Sequence, residues 1–348
     1  MDDVDIWAAT ALDEDTFAIS LGEMEDDPQY SKLCIYSVAA QSEPRFIDFD
    51  STLVSLTPLA ARYPNAFLVA LGIDGDVHFI GEAVRTERIP EAGSDNDNGE
   101  GRGSMSQIKT LPDGLVACGY GSQVYLRNSG GNWNMIAGEE VDDLGENSFE
   151  GVAVAKPGSV AACGFSDPKY RVPTPEEQAE LDHIAETGSV GEYTDLADRY
   201  LAMIRPAGGC LYILDKSQWR SAVLPGNGHL NDVDHLPDGR FLAAGGGGMI
   251  VAGRTPEDLE EFSEPNFNEI FCAVRVSGSK SYLLGESCIV VLSPDLRSEE
   301  LIPLPDDFSS PLSLDVVGDI IWYFDHKGVA RRQNGVWTVI DLPREVWQ

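Results

Sequence analysis

Positive charge is scarce in this chain. It has 24 Lys and Arg against 58 Asp and Glu in 348 residues, a formal net charge of −34. A surface this acidic repels phosphate backbones and anionic lipid headgroups, so neither a nucleic acid nor a membrane is an expected partner. It attracts basic proteins at low salt. Long apolar runs are also missing. The run at 318–324 is among the longest, far below the roughly 20 residues of a bilayer-spanning helix. The opening MDDVDIWAAT has no basic segment, so no secretory signal is expected.

Cysteines are few and unpaired in sequence. Cys34, Cys118, Cys163, Cys210, Cys272 and Cys288 form no C-x-x-C and sit inside apolar runs. That is the pattern of buried thiols in a reducing compartment, and it predicts a cytoplasmic protein.

The motifs of cofactor and catalytic chemistry are lacking too. A dinucleotide fingerprint needs G-x-G-x-x-G opening a helix. The four glycines at 245–248 are followed by MIVAG, a strand, and GYGSQV (119–124) fails in the same way. No phosphate-loop G-x-x-x-x-G-K-[ST] and no G-x-S-x-G elbow is present. The histidines, His78, His183, His229, His235 and His326, are dispersed. His229, Asp232, Asp234 and His235 are the one dense group, and polar channel lining is its expected role rather than metal binding. Counted from Asp95, an EF-hand loop would need Gly sixth and Glu twelfth; Glu100 and Ser106 stand there. Calcium at Asp95, Asp97 and Glu100 is left as an alternative. No catalytic residue, metal or cofactor is assigned.

A repeat is what the chain does have. IKTLPDGLVACGYGSQVYLRNSGGNW (108–133) aligns with VDHLPDGRFLAAGGGGMIVAGR (233–254). Each reads as an apolar strand, Leu-Pro-Asp-Gly, a second strand, a glycine cluster and a third strand. Pro presets the first turn corner and Gly accepts φ > 0 at its end. Weaker copies start near 5, 52, 148, 267 and 310. Trp133, Trp219 and Trp337 announce the fourth strand in three units and are expected to bury their rings between neighbouring sheets. Seven units of four short strands, about 40 residues apart, predict an all-β, seven-bladed β-propeller. Residues 1–348 are taken as one propeller domain, with 166–208 a helical insertion in blade four. The SGGNW at 129–133 resembles the fourth-strand entry of the photosystem assembly-factor and sialidase-repeat propellers, and that resemblance implies the same fold. The Asp of the Asp-box is replaced here by Ser129 or Gly130.

The departures from the frame point to function. In such propellers, loops from strand two to three and from blade to blade share one face. On that face the segment 22–31 carries Glu23, Glu25, Asp26 and Asp27. Segment 91–102 carries Asp95, Asp97 and Glu100, and segment 138–147 carries Glu139, Glu140, Asp142, Asp143 and Glu146. In the insertion, Thr174, Pro175 and Glu177 form a capping box, and the helix they open presents Glu176, Glu177, Glu180 and Asp182. Gly188 closes it, and a second helix is expected over 193–204. These acids are the candidate partner-binding residues. They suit a basic protein partner, such as a toxin domain passed between bacteria and neutralised by this chain as a cytosolic immunity protein. A hydrolase or lyase working in the channel, or an assembly chaperone, is the alternative.

Overall fold

Seven four-stranded antiparallel sheets, each in simple sequential order, make up the computed structural model of this chain. It describes residues 4–347 apart from 24–29, 41–42, 60–62, 64, 95–100, 138–146, 202, 227 and 264–266. The innermost strands are Val4–Ala11, Leu53–Pro58, Met105–Leu111, Asn147–Lys156, Leu230–His235, Ala273–Ser277 and Pro311–Val317. The seven-bladed β-propeller expected from the repeat is the observed fold, and the blades fall where the seven units were drawn.

Burial explains the strand sequences. A second strand is sandwiched between two neighbouring blades, so both of its faces are apolar: Gly114–Gly119 and Phe241–Gly245 are buried at every position. An outermost strand meets solvent, and Val84–Arg88 reads VRTER. The core is accordingly split into seven apolar clusters, one at each seam between adjacent blades.

The ring closes without strand exchange. All four strands of blade one come from residues 4–49, and all four of blade seven from 311–339. Packing and hydrogen bonds must therefore hold that seam. Phe17 meets Trp322 with ring centroids 5.3 Å apart, and Trp322 stacks on Phe324 at 6.3 Å. All three are fully buried. The Ile6 N–H donates to the His326 carbonyl (2.9 Å), the Trp322 indole to the Asp13 carbonyl (3.2 Å), and Arg331 pairs with Asp15 (2.6 Å).

Local details differ from expectation. Two of the repeat tryptophans hydrogen-bond across to the preceding blade, Trp219 to the Ile136 carbonyl (2.5 Å) and Trp337 to that of Pro303 (2.9 Å), and Trp133 packs on the apolar cluster between blades two and three. Their rings are half-buried rather than enclosed, because the fourth strand is the solvent edge of the blade. The two Leu-Pro-Asp-Gly turns are not equivalent. Gly239 has φ +86° and its N–H bonds the Leu236 carbonyl (2.9 Å). Gly114 has no positive φ; it is a strand residue, and a Cβ there would lie 1.7 Å from the Arg127 carbonyl oxygen.

Replacing Trp322 with Ala should lower stability by about 3–5 kcal/mol, the range for removing a large buried aromatic ring. Urea unfolding checks this; a loss below about 1 kcal/mol would mean the blade seven–blade one seam does not depend on the stack.

Candidate functional site

A recurring irregularity in the innermost strands builds the site. In blade one Ile6 pairs with Leu21 and Ala8 with Ser20, which leaves Trp7 as an extra residue. The same one-residue bulge leaves out Val54, Ser106, Glu150, Asn231 and Leu312 in blades two, three, four, five and seven. In blade six Cys272 stands at this place, its N–H on the Leu284 carbonyl (2.9 Å). A bulge bends its strand and re-aims the extra side chain. Here the seven side chains ring the end of the central channel where the inner strands begin. Five of them line a cavity of about 660 Å³, and Trp7 and Val54 line a smaller one of about 120 Å³ beneath it.

The bulge also explains the glycines that close the second strands. A Cβ on Gly164 would lie 1.9 Å from the Ser148 carbonyl oxygen, on Gly245 2.0 Å from that of His229, and on Gly119 2.5 Å from that of Ser104. The bulged strand occupies the space a side chain would need. In the four-glycine run, Gly246–Gly248 forms a 3-10 turn with Gly247 and Gly248 at φ +68° and +73°. So it is a tight turn packed on the neighbouring blade, not a phosphate cradle or a plain hairpin.

The ring is chemically two-sided. Trp7, Val54 and Leu312 make one arc apolar; Ser106, Glu150 and Asn231 make the other polar. Glu150 is its only ionisable carboxylate. Burial pushes the Glu150 carboxyl above the usual range, and a hydrogen bond from Tyr120 works against that. Glu150 in turn raises the Tyr120 phenol. Gln107, Ser148 and His229 extend the polar wall, and the Phe165 ring lines the cavity beside them. Burial pushes the Cys272 thiol up to about 12, so it is not a thiolate at neutral pH.

Below the mouth, side chains fill the channel and hold one another. Asp232, 2 % exposed, accepts from Gln107 Nε2 (3.0 Å), Lys109 Nζ (3.1 Å), Arg275 (2.7 Å) and the Val274 N–H (3.0 Å). Arg275 Nε continues to Asp315 (3.0 Å), which accepts from Thr10 Oγ1 and the Ala11 N–H, both at 2.8 Å. The Gln107 side-chain oxygen Oε1 accepts from the Val152 N–H (2.9 Å) and Ser55 Oγ from the Ile108 N–H (3.1 Å). All seven blades are joined. Burial opposes ionisation of Asp232, yet the charges of Lys109 and Arg275 win and hold its carboxyl at about 2.

The insertion projects from blade four, between Ser166 and Gly208, which are register partners. Its first helix, Pro175–Thr187, has the predicted Thr174–Glu177 capping box. The second helix is Val190–Tyr200, not 193–204. Ser189 and Glu192 form an unforeseen capping box that starts it earlier, and Met203–Arg205 leaves it to pair as a strand with Lys169–Tyr170. Leu181 and Leu196 are the buried residues of the two helices.

Of the predicted acids, four are on this insertion. Glu177 is held by its cap and by Arg171 (2.9 and 3.0 Å), whose hydrogen bonds take its carboxyl down to about 2. Glu180 accepts from the Tyr200 hydroxyl (2.7 Å) and Asp182 from Gln178 (2.8 Å). Glu176 is exposed. Glu23 ends the strand Thr16–Glu23. Glu25, Asp26, Asp27, Asp95, Asp97, Glu100, Glu139, Glu140, Asp142, Asp143 and Glu146 lie outside the described residues. The strand ends that flank them all open to the face that carries the mouth, because the strands of each blade alternate in direction. His229 and His235 do not converge: they bracket the innermost strand of blade five, roughly 16–20 Å apart at strand rise. The ring itself escaped sequence reading. Its one signal is the second-strand glycine, paired with the residue just before the bulge in blades two to five.

No family model and no curated protein matches the sequence. Solved structures do match in fold. The chain is similar to "YCF48 bound to D1 peptide", with a TM-score of 0.58 and 14 % identity over 98 % of this chain and 94 % of that one. It is similar to virginiamycin B lyase from Staphylococcus aureus (TM-score 0.58, 10 % identity, 92 % of each chain). It is also similar to the WD40 β-propeller domain of Doa1 (TM-score 0.58, 12 % identity, 95 % and 93 %). The class is thus the β-propeller. Within it, the neighbours include YCF48, of the photosystem assembly-factor type that the repeats resemble.

Asp232 has a depressed carboxyl in the fold, so its contribution to stability is complete above about pH 4 and is lost as pH falls toward 2. Denaturation at pH 5 and pH 2.5 should show a loss that includes roughly 2 kcal/mol from this group. In Asp232→Asn that increment should be absent, on a lower stability at pH 5.

Proposed function

We propose that this propeller is a non-enzymatic protein-binding scaffold that takes a basic partner on the face holding the channel mouth and the blade-four insertion. The carrying observation is the surface of the insertion. Fifteen large hydrophobic residues are markedly exposed among the described residues, and six of them, Tyr170, Val172, Val190, Tyr193, Met203 and Ile204, belong to it. Val172 and Val190 are 84 % and 85 % exposed. An insertion that only decorated its blade would bury such side chains; clustered exposed apolar residues mark interaction surfaces. The same segment, 166–208, carries nine acids against four Lys and Arg. An apolar patch with an acidic surround suits a basic protein. The mouth adds a seat for one side chain: a partner Lys or Arg whose stem lies on the apolar arc of Trp7 and Leu312 would bring its cation to Glu150.

Within that class we infer a cytosolic immunity protein that covers the active site of a basic toxin, with the acidic loops speeding association and the insertion acting as the cover. The peptide bound to the similar YCF48 is in keeping with protein binding. An assembly chaperone would use the same surface. A channel-centred hydrolase or lyase would draw on Glu150, Tyr120 and His229, which share the cavity. Against it stand the engagement of Asp232, Asp234 and Asp315 in structural bonds and the protonated Cys272 thiol.

Ser166 and Gly208 face each other in the sheet, so a short turn can replace 168–206. The shortened protein should melt within a few degrees of the full chain and, where a basic protein is encoded beside this chain, lose at least about tenfold in affinity for it. Glu150→Gln should weaken that binding by about 1–3 kcal/mol. Calorimetry at low salt checks both; unchanged affinity in both variants would contradict the proposal.

A further inference from the structure

The opposite face, where the inner strands end, holds a groove of about 760 Å³ between blades one and two. Its cations outnumber its acids, against the balance of the whole chain. Two cations, Arg45 and Arg85, line it against one acid, Glu82, with Tyr63, Phe67 and Phe79 as walls. Arg45 is exposed and donates to the Gly81 carbonyl (2.8 Å); no carboxylate pairs with it among the described residues. Arg85 lies over the Phe79 ring, 4.2 Å from its centroid, and pairs with Glu87. That carboxylate is already held by Arg127 through two bonds of 2.7 Å each. One carboxylate thus serves two guanidiniums, and Arg45 is paired with none among the described residues. In a chain of net charge −34, such a place is a local sink for an anion.

The geometry points to a second binding site here, for a small organic carboxylate that carries an aromatic ring. A guanidinium fork matches a carboxylate in two parallel hydrogen bonds. Phe67, more than a third exposed, and Tyr63, 6.0 Å from Phe79 between centroids, offer ring faces for offset stacking. The volume is that of an ordinary small-molecule pocket. A close approach shapes the groove floor: a Cβ on Gly81 would lie 1.8 Å from the Asn65 carbonyl oxygen, so the two loops meet there only because residue 81 is glycine. The site is independent of the mouth on the other face.

N-acetylphenylalanine is the probe, and its neutral amide is the control; binding is read by calorimetry on the full-length protein. The acid should bind saturably and the amide about tenfold more weakly or not at all. Arg45→Gln and Arg85→Gln, made singly, should each weaken the acid about tenfold with an unchanged melting temperature. Arg45→Lys should fall short of wild type, because it keeps the charge and loses the fork. Glu150→Gln should leave this binding intact. No saturable heat in the millimolar range, equal affinity for acid and amide, or wild-type affinity in both Gln variants would overturn the proposal.

Discussion

The carboxylate of Asp232 is the contact on which the rest of the ring depends. It sits on blade five, takes hydrogen bonds from Gln107 and Lys109 on blade three and from Val274 and Arg275 on blade six, and is almost wholly buried. An isolated charge there would be costly, and so would either cation without it. Arg275 passes the constraint to Asp315 and so to Thr10 on blade one, across the closing seam. A ring with no exchanged strand has to prevent its first and last blades from parting. The apolar stack around Trp322 does this outside the channel, and the ion-paired chain does it inside.

The bulges separate scaffold from specificity. One backbone device recurs around the ring and needs a close partner strand, hence the glycines at 119, 164 and 245. The residue it displays is free to differ, since it faces the cavity rather than a seam. Trp7, Val54, Ser106, Glu150, Asn231, Cys272 and Leu312 share a place and almost no chemistry. Identical frames carrying different side chains are what a binding surface built on a repeat requires.

Legibility in the sequence followed the range of the interactions. Turns, strand order and the Thr174 cap are local, and Leu-Pro-Asp-Gly, the glycine clusters and Thr-Pro-x-Glu announce them directly. The Ser189 cap is equally local, but Gly191 in the first turn obscures the helix start in the sequence. The channel network pairs residues more than 120 positions apart, Lys109 with Asp232 and Asp315 with Thr10, and no periodicity reports such pairs. The bulges shift the alternation of a strand by one residue, which in a run of small and apolar residues leaves no visible break. The acidic loops were conspicuous by charge alone, whereas the exposed apolar residues of the insertion look like core until their burial is known.

A double-mutant cycle between Asp232 and Arg275 tests the central claim most directly. Urea unfolding of wild type, Asp232→Asn, Arg275→Met and the double variant gives the coupling free energy. If the buried pair ties the blades together, each single change costs about 3 kcal/mol or more and the double costs much less than their sum. Additive losses, each below about 1 kcal/mol, would show that the channel charges are incidental and that the seams alone hold the ring.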